Sequence, residues 1–139
     1  YETGARNVEA ALFENDRITL IEKRAGAGDA RLVEVEVGRE AAENQIGRDS
    51  ATVRIPFAVT DAAWFGPSIG SEPGRDRKIA FLSYGGVFEC DRLPAAGGIG
   101  EATPIWLGFK GQAESLLSMS DQEFLLGLED GRLFRLREH

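Results

Sequence analysis

Hydrophobic and polar residues alternate in short segments along most of this chain. In Arg31–Val37, Val33, Val35 and Val37 face one side and the intervening glutamates the other, which is typical of a half-buried β-strand. Similar segments predict strands at Arg17–Lys23, Ala51–Phe57, Lys78–Tyr84, Val87–Leu93, Thr103–Phe109, Glu123–Glu129 and Arg132–Arg137. Gly85-Gly86 and Asp130-Gly131 separate two pairs of these strands and favour tight hairpin turns.

Helical patterns are nearly absent. Only Arg39–Gln45 has helical composition, and we expect one or two turns there on a surface loop. Three segments rich in Gly or Pro predict longer loops: Ala25–Ala30, Gly66–Arg75 and Pro94–Gly100. The chain is therefore predicted to be all-β.

A repeat of about 50 residues underlies the strands. Segments 7–13, 59–65 and 112–118 each combine an acidic residue with small and then large apolar residues. The acids Glu9, Asp61 and Glu114 are 52 and 53 residues apart. Each segment begins a run of strands, which gives blade-like repeats at 7–57, 59–109 and 112–137. The first two repeats contain four predicted strands and the third contains three, making 11 strands in all.

Four strands in a repeat of this length are the signature of a β-propeller blade. Three blades cannot close a ring, because propellers typically have four to eight. We therefore interpret residues 1–139 as one partial unit, half of a six-bladed propeller whose last blade lacks its fourth strand. An identical chain, a second polypeptide or a sequence outside this chain would complete the ring. The alternative is a self-contained two-sheet β-sandwich of about 11 strands.

Three segments carry a resemblance to a known family: NVEAALFENDRITLIEKR, VTDAAWF with KIAFLSYGGVFE, and GQAESLLSMSDQEFLLGLEDGRLFRL. Together they resemble the second half of bacterial six-bladed propellers of the phytase-like group (esterase-like activity of phytase) and its uncharacterised relatives. The resemblance implies a calcium ion bound in the central channel. The chain departs from the group's pattern at Asp61, where the flanking repeats have Glu, and in the insertion 66–77.

Charge and composition exclude several functions. The net charge is -7, and the chain has no basic face of the kind that binds nucleic acid or anionic membranes. Cys90 is the sole cysteine, so neither an internal disulfide nor a cysteine-based zinc site can form. His139 is the sole histidine and the last residue, which removes nearly all histidine-dependent acid–base chemistry.

The first candidate site is the trio Glu9, Asp61 and Glu114. If their strands are innermost, the three carboxylates converge near the propeller axis, where they need a cation or protons to offset their repulsion. Calcium, which prefers six to eight oxygen ligands, suits such a set. Alternatively, these acids cap backbone N–H groups or pair with Arg6 and Lys23.

Tyr84, at a strand end beside Gly85-Gly86, is a candidate ligand-binding residue together with Lys23. The segment Gly66–Gly70 matches G-x-S-x-G, but the residues that follow it cannot form the helix a nucleophile elbow requires, so loop residues explain the match.

We therefore predict a non-enzymatic binding or scaffolding module, with calcium in the central channel as its candidate metal ion. The alternative is a phytase-like hydrolase of phosphate or carboxylic esters, in which channel carboxylates and a metal activate water.

Overall fold

The computed structural model describes residues 5–14, 17–23, 29–37, 48–66, 78–90, 94–108, 111–120 and 122–137. Within them lie twelve strands and no helix. The strands are β1 (Val8–Glu14), β2 (Arg17–Lys23), β3 (Ala30–Glu36), β4 (Arg48–Arg54), β5 (Val59–Phe65), β6 (Lys78–Ser83), β7 (Gly86–Cys90), β8 (Gly98–Glu101), β9 (Thr103–Leu107), β10 (Ala113–Ser120), β11 (Glu123–Leu128) and β12 (Leu133–Arg137). The all-β prediction is confirmed.

The strands form three sheets rather than the two of a sandwich. Sheet 1 has the order β1-β2-β3-β4-β8, sheet 2 has the order β5-β6-β7-β9, and sheet 3 has the order β10-β11-β12. Apart from the parallel pair β4–β8, neighbouring strands run antiparallel. Each sheet is thus built around a meander of consecutive strands, and the third has one strand fewer than sheet 2, as the repeat predicts.

The sheets pack face to face in chain order, with β5 lying beside both β1 and β10. One apolar cluster joins sheets 1 and 2 and includes Ile21, Leu32 and Phe81. A second joins sheets 2 and 3 and includes Leu82 and Phe124. Sheet 2 is therefore buried on both faces, which explains why every residue of β6 after Lys78 is buried. We call the face of each sheet toward the next one its forward face, and the opposite face its backward face.

The first strand of every sheet carries a β-bulge at the same place. The register between β1 and β2 shifts around Glu9, that between β5 and β6 around Thr60, and that between β10 and β11 around Glu114. A bulge adds one residue to one strand, bends it and redirects the side chains that follow. The three bulges define which positions of the sheets are equivalent, and they support the repeat independently of the sequence pattern.

The register after each bulge aligns the sheets residue by residue. Ala10 pairs with Ile21 and then Leu32 across sheet 1. The equivalent row in sheet 2 is Asp61, Leu82 and Val87, and in sheet 3 it is Ser115, Gly127 and Leu133. All three rows lie on forward faces, since Leu32 and Leu82 each belong to the cluster shared with the next sheet.

Strand β8 was not expected from the sequence, which predicts a loop at Pro94–Gly100. It lies between β7 and β9 in the chain, yet it pairs with β4 of sheet 1. The backbone N–H of Ala102 donates a further hydrogen bond to the carbonyl of Arg54, at 3.1 Å. Pro94 and the glycines of this segment hide the strand, because both residue types normally weaken strand patterns. The excursion ties sheets 1 and 2 together along their outer edge.

Strand boundaries shift in several places. The predicted strand Ala51–Phe57 is observed three residues earlier as β4, because Ile55–Ala58 form the connection to β5. The hairpin between β6 and β7 turns at Tyr84-Gly85, and Gly86 begins β7. Gly86 has φ 155° and lies against β9, where an added Cβ would be 2.3 Å from the carbonyl oxygen of Trp106. The predicted helix at 39–45 and most of the G-x-S-x-G segment lie outside the described residues.

Candidate functional site

The acidic trio does not occupy equivalent positions in the three sheets. Glu9 and Glu114 are the extra residues of their bulges, whereas Asp61 follows the bulge residue Thr60. An alignment by residue type therefore places Asp61 one position away from its structural equivalents, Ala10 and Ser115. The sequence cannot reveal this offset, because the acids have nearly equal spacing while the bulges do not.

Asp61 links two sheets through backbone hydrogen bonds. Its Oδ2 accepts a hydrogen bond from the N–H of Leu116 in β10, and its Oδ1 accepts one from the N–H of Ala62, both at 2.8 Å. Burial raises the pKa of the Asp61 carboxyl, while the two N–H donors act in the opposite direction. The carboxylate thus accepts a hydrogen bond from a backbone donor on the edge strand of sheet 3. This is the capping role that the sequence left open for these acids.

The neighbouring Thr60 makes a second link between the same strands. Its hydroxyl donates a hydrogen bond to the carbonyl oxygen of Ala113, at 2.9 Å and in a buried setting. The bulge turns Thr60 and Asp61 toward β10 together, so one hydroxyl and one carboxylate fix the first strands of sheets 2 and 3 in register.

Glu9 forms a different cluster with both predicted ligand-binding residues. Its Oε1 lies 3.8 Å from Nζ of Lys23, and that ammonium lies 5.4 Å from the centre of the Tyr84 ring. The side chains of Glu9 and Lys23 are each about one-third exposed. Tyr84 is exposed, as is Phe57, whose ring packs on Gly85. The structure therefore brings Glu9, Lys23 and Tyr84 together at one end of sheets 1 and 2.

Glu114 is exposed, and the structure does not bring it to this cluster or to the Asp61 contacts. Within the described ranges, no three His, Cys, Asp or Glu side chains are grouped closely enough to hold a metal ion. Both oxygens of Asp61 already accept backbone hydrogen bonds, and Glu9 is paired with Lys23. The trio as arranged does not offer the oxygen set that calcium needs. Calcium binding remains a prediction from the sequence.

Each sheet also carries an ion pair between equivalent residues of its second and third strands, which the sequence analysis missed. In sheet 1, Arg17 contacts Glu34 and Glu36, and in sheet 2, Lys78 contacts Glu89 at 3.0 Å. In sheet 3 the signs are reversed. Glu123 there accepts hydrogen bonds from both Arg135 and Arg137.

These two guanidinium groups lower the pKa of Glu123 to about 2. The repeated pair could have been found by aligning the second strands, where Arg17, Lys78 and Glu123 each begin the strand.

A buried acid in sheet 1 was also missed. Glu22 is almost fully buried, and its two oxygens accept hydrogen bonds from the backbone N–H of Arg6 and from the Arg31 guanidinium, the latter at 2.8 Å. Both partners satisfy the carboxylate, so this pair holds the start of β1 against β2 and β3. Strand alternation alone gives no signal for it, because Glu22 occupies a position on the face of β2 that otherwise carries Ile18 and Leu20.

No helix in the described part of the chain is long and apolar enough to cross a membrane. Comparison of the sequence with protein-family models and curated proteins, and of the fold with solved structures, finds no match. The phytase-like resemblance and the ester-hydrolase alternative therefore stay predictions.

Proposed function

We propose that this chain is a non-enzymatic scaffolding and binding module, half of a six-bladed propeller that is completed by a second half. The observation that carries the proposal is the repetition of one sheet-to-sheet contact, which is made twice within the chain, while Phe13 at one end and Leu133 at the other remain exposed. The bulges and ion pairs at equivalent positions indicate that the three sheets are repeats of one unit rather than three unrelated sheets.

The forward face of sheet 3 carries the apolar residues Leu117, Leu125 and Leu133 beside the Glu123, Arg135 and Arg137 cluster, and it is exposed at positions that are buried in the other sheets. Leu32 and Val87 are fully buried in sheets 1 and 2, whereas their equivalent, Leu133, is 67% exposed. Leu117, on the same face of β10, is also exposed. Exposed apolar residues that share a face with a repeated interface favour association.

The backward face of sheet 1 shows the same contrast. Phe13 pairs with Ile18 at the position where Trp64 pairs with Ile79 in sheet 2. Phe13 is 62% exposed and Ile18 is half-buried, whereas Ile79 is buried beneath sheet 1. Val33 and Val35 of β3 lie on the same face and are buried, so the part available for a partner is the part on β1.

Binding at one end of the ring is the second part of the proposal. Lys23 and Tyr84 combine an ammonium group with an exposed ring, a pairing that accommodates ligands with both polar and flat apolar groups. The cluster lies where two sheets meet, which is where a groove between blades would open. Tyr84→Ala and Lys23→Ala should leave the assembly intact and weaken ligand capture in a screen against a small-molecule and glycan library.

Light scattering tests the assembly directly. A chain of 15.1 kDa should elute as a particle of about twice that mass, or of larger mass with a second polypeptide. A folded, stable 15.1 kDa monomer would refute the proposal. Calcium titration with an EDTA control, followed by thermal shift on the wild type and on Glu9→Gln, tests the calcium prediction on the same samples.

A further inference from the structure

We infer that the second half is an identical copy of this chain, whose sheet 1 backward face binds the sheet 3 forward face of the first copy. This inference rests on the proposed function and identifies the partner and the two contacting surfaces. It concerns residues Leu117 and Leu133 on one side and Ala11 and Phe13 on the other.

The two contacts between sheets inside the chain have the same direction. In both contacts inside the chain, a forward face meets a backward face: sheet 1 meets sheet 2, and sheet 2 meets sheet 3. The uncovered forward face of sheet 3 therefore needs a backward face. The chain has one to offer at β1, where Ala11 and Phe13 of the sheet 1 backward face are exposed, whereas Val33 and Val35 of β3 on the same face are buried. A second copy supplies it without any new surface.

The two faces also differ in side-chain volume. One row of the sheet 3 forward face is Ser115, Gly127 and Leu133, and the next row is Leu117, Leu125 and Arg135. The equivalents of Gly127 are Ile21 and Leu82, so the first row carries less side-chain volume than the buried rows of sheets 1 and 2. The backward face of sheet 1 presents the bulky Phe13. A row with little side-chain volume at one end of the chain leaves room for an aromatic side chain from the other.

A second copy also allows the ring to close by symmetry. Two different faces that bind each other make a heterologous contact, and such contacts close into a ring when the rotation allows it. Two copies of three sheets make six, within the range of four to eight that closed propellers use. The two contacts between the copies are identical, so each sheet 3 forward face is covered by a sheet 1 backward face.

Complementation between two blocked variants tests the inference. Leu133→Arg blocks the forward face and Phe13→Arg blocks the backward face, while Leu107→Arg on β9 is a matched control, because Leu107 is 54% exposed and belongs to sheet 2, which contributes to neither proposed surface. Each blocked variant should be a folded monomer alone, and Leu107→Arg should keep the wild-type mass. When the two blocked variants are mixed, one intact face of each remains, so the mixture should regain the two-copy mass by light scattering.

The other outcomes overturn the inference in distinguishable ways. If Phe13→Arg assembles normally and only Leu133→Arg does not, sheet 3 binds another sheet 3. If neither variant changes the assembled mass, other surfaces hold the copies together and the scaffolding proposal survives alone. If the wild type assembles only with a different polypeptide, the partner is not a second copy. If the wild type is a folded monomer, both the inference and the proposed function fail. Leu117→Arg serves as the second forward-face variant, and far-UV circular dichroism checks folding throughout.

Discussion

Removing the Asp61 carboxylate should loosen the contact between sheets 2 and 3. In Asp61→Ala, the N–H of Leu116 loses its acceptor while Leu116 stays only 7% exposed. A buried donor left without a partner costs about 1–3 kcal/mol. Asp61→Ala also removes the free-energy cost of burying the carboxylate, which offsets part of this loss. We therefore expect a decrease of about 1–2 kcal/mol in the free energy of unfolding.

Asp61→Asn separates the hydrogen bond from the charge. Its amide keeps one oxygen acceptor, which can serve Leu116, so we expect a loss of about 0–1 kcal/mol. Glu114→Ala is the matched control, because Glu114 is an exposed acid on the neighbouring strand and should change stability by no more than about 0.5 kcal/mol. Urea unfolding followed by tryptophan fluorescence measures all three variants.

The pH dependence of Asp61 has a defined sign. Burial raises its folded pKa above 3.8, so the folded state binds the proton more tightly than the unfolded state does. The Asp61 contribution to stability therefore falls as the pH rises from 3.8 through the folded pKa, and Asp61→Asn lacks this slope. Equal stability of Asp61→Ala and wild type at pH 7, or equal losses in Asp61→Ala and Glu114→Ala, would refute the role of Asp61 as a link between sheets.

Three further changes have expected outcomes. Glu123→Gln should remove a contribution to stability that depends on pH. The wild-type carboxylate, with its pKa lowered from 4.5 to about 2, stabilises the fold above pH 4.5 and loses that effect as the pH falls toward 2. If the ion pair were absent, thermal midpoints of wild type and Glu123→Gln would depend on pH in the same way between pH 2 and 7. Gly97→Ala should cost roughly 1–2 kcal/mol from its positive φ alone, and Gly86→Ala should cost more. At Gly86 the added Cβ would clash with the carbonyl oxygen of Trp106, whereas at Gly97 it would meet no atom. Equal losses in urea unfolding would contradict this. Phe124→Ala should cost about 3–5 kcal/mol, as its buried ring contacts Phe65 across sheets 2 and 3 at 5.0 Å; a loss below about 1 kcal/mol would mean that the sheets do not pack there.

The sequence predicted the strands and their grouping well, because period-two alternation and turn residues act locally. Val33 and Val35 are buried and Glu36 is exposed, as the alternation in β3 requires. The hairpins at Gly85 and at Asp130-Gly131 follow from residues that favour tight turns. Strand β8 escaped prediction because its pairing with β4 is long-range and its glycines and Pro94 favour a loop.

The candidate site was predicted less well, since it depends on register. Lys23 and Tyr84 do meet, although they are 61 residues apart, but the acids divide among separate contacts. One extra residue in each bulge decides whether an acid faces its own sheet, the next sheet or solvent. The nearly equal spacing of Glu9, Asp61 and Glu114 therefore did not imply convergence, and only the strand pairing reveals that Asp61 is the one directed at β10.

Small-angle X-ray scattering of the wild-type chain tests the central claim most directly, because it gives mass and shape together. A closed ring of two copies predicts a compact particle of about twice 15.1 kDa with a radius of gyration of about 19 Å. A monomer would give about 14 Å, and an open end-to-end pair would have the two-copy mass but a clearly larger radius. Either of these results would contradict the closed six-sheet ring.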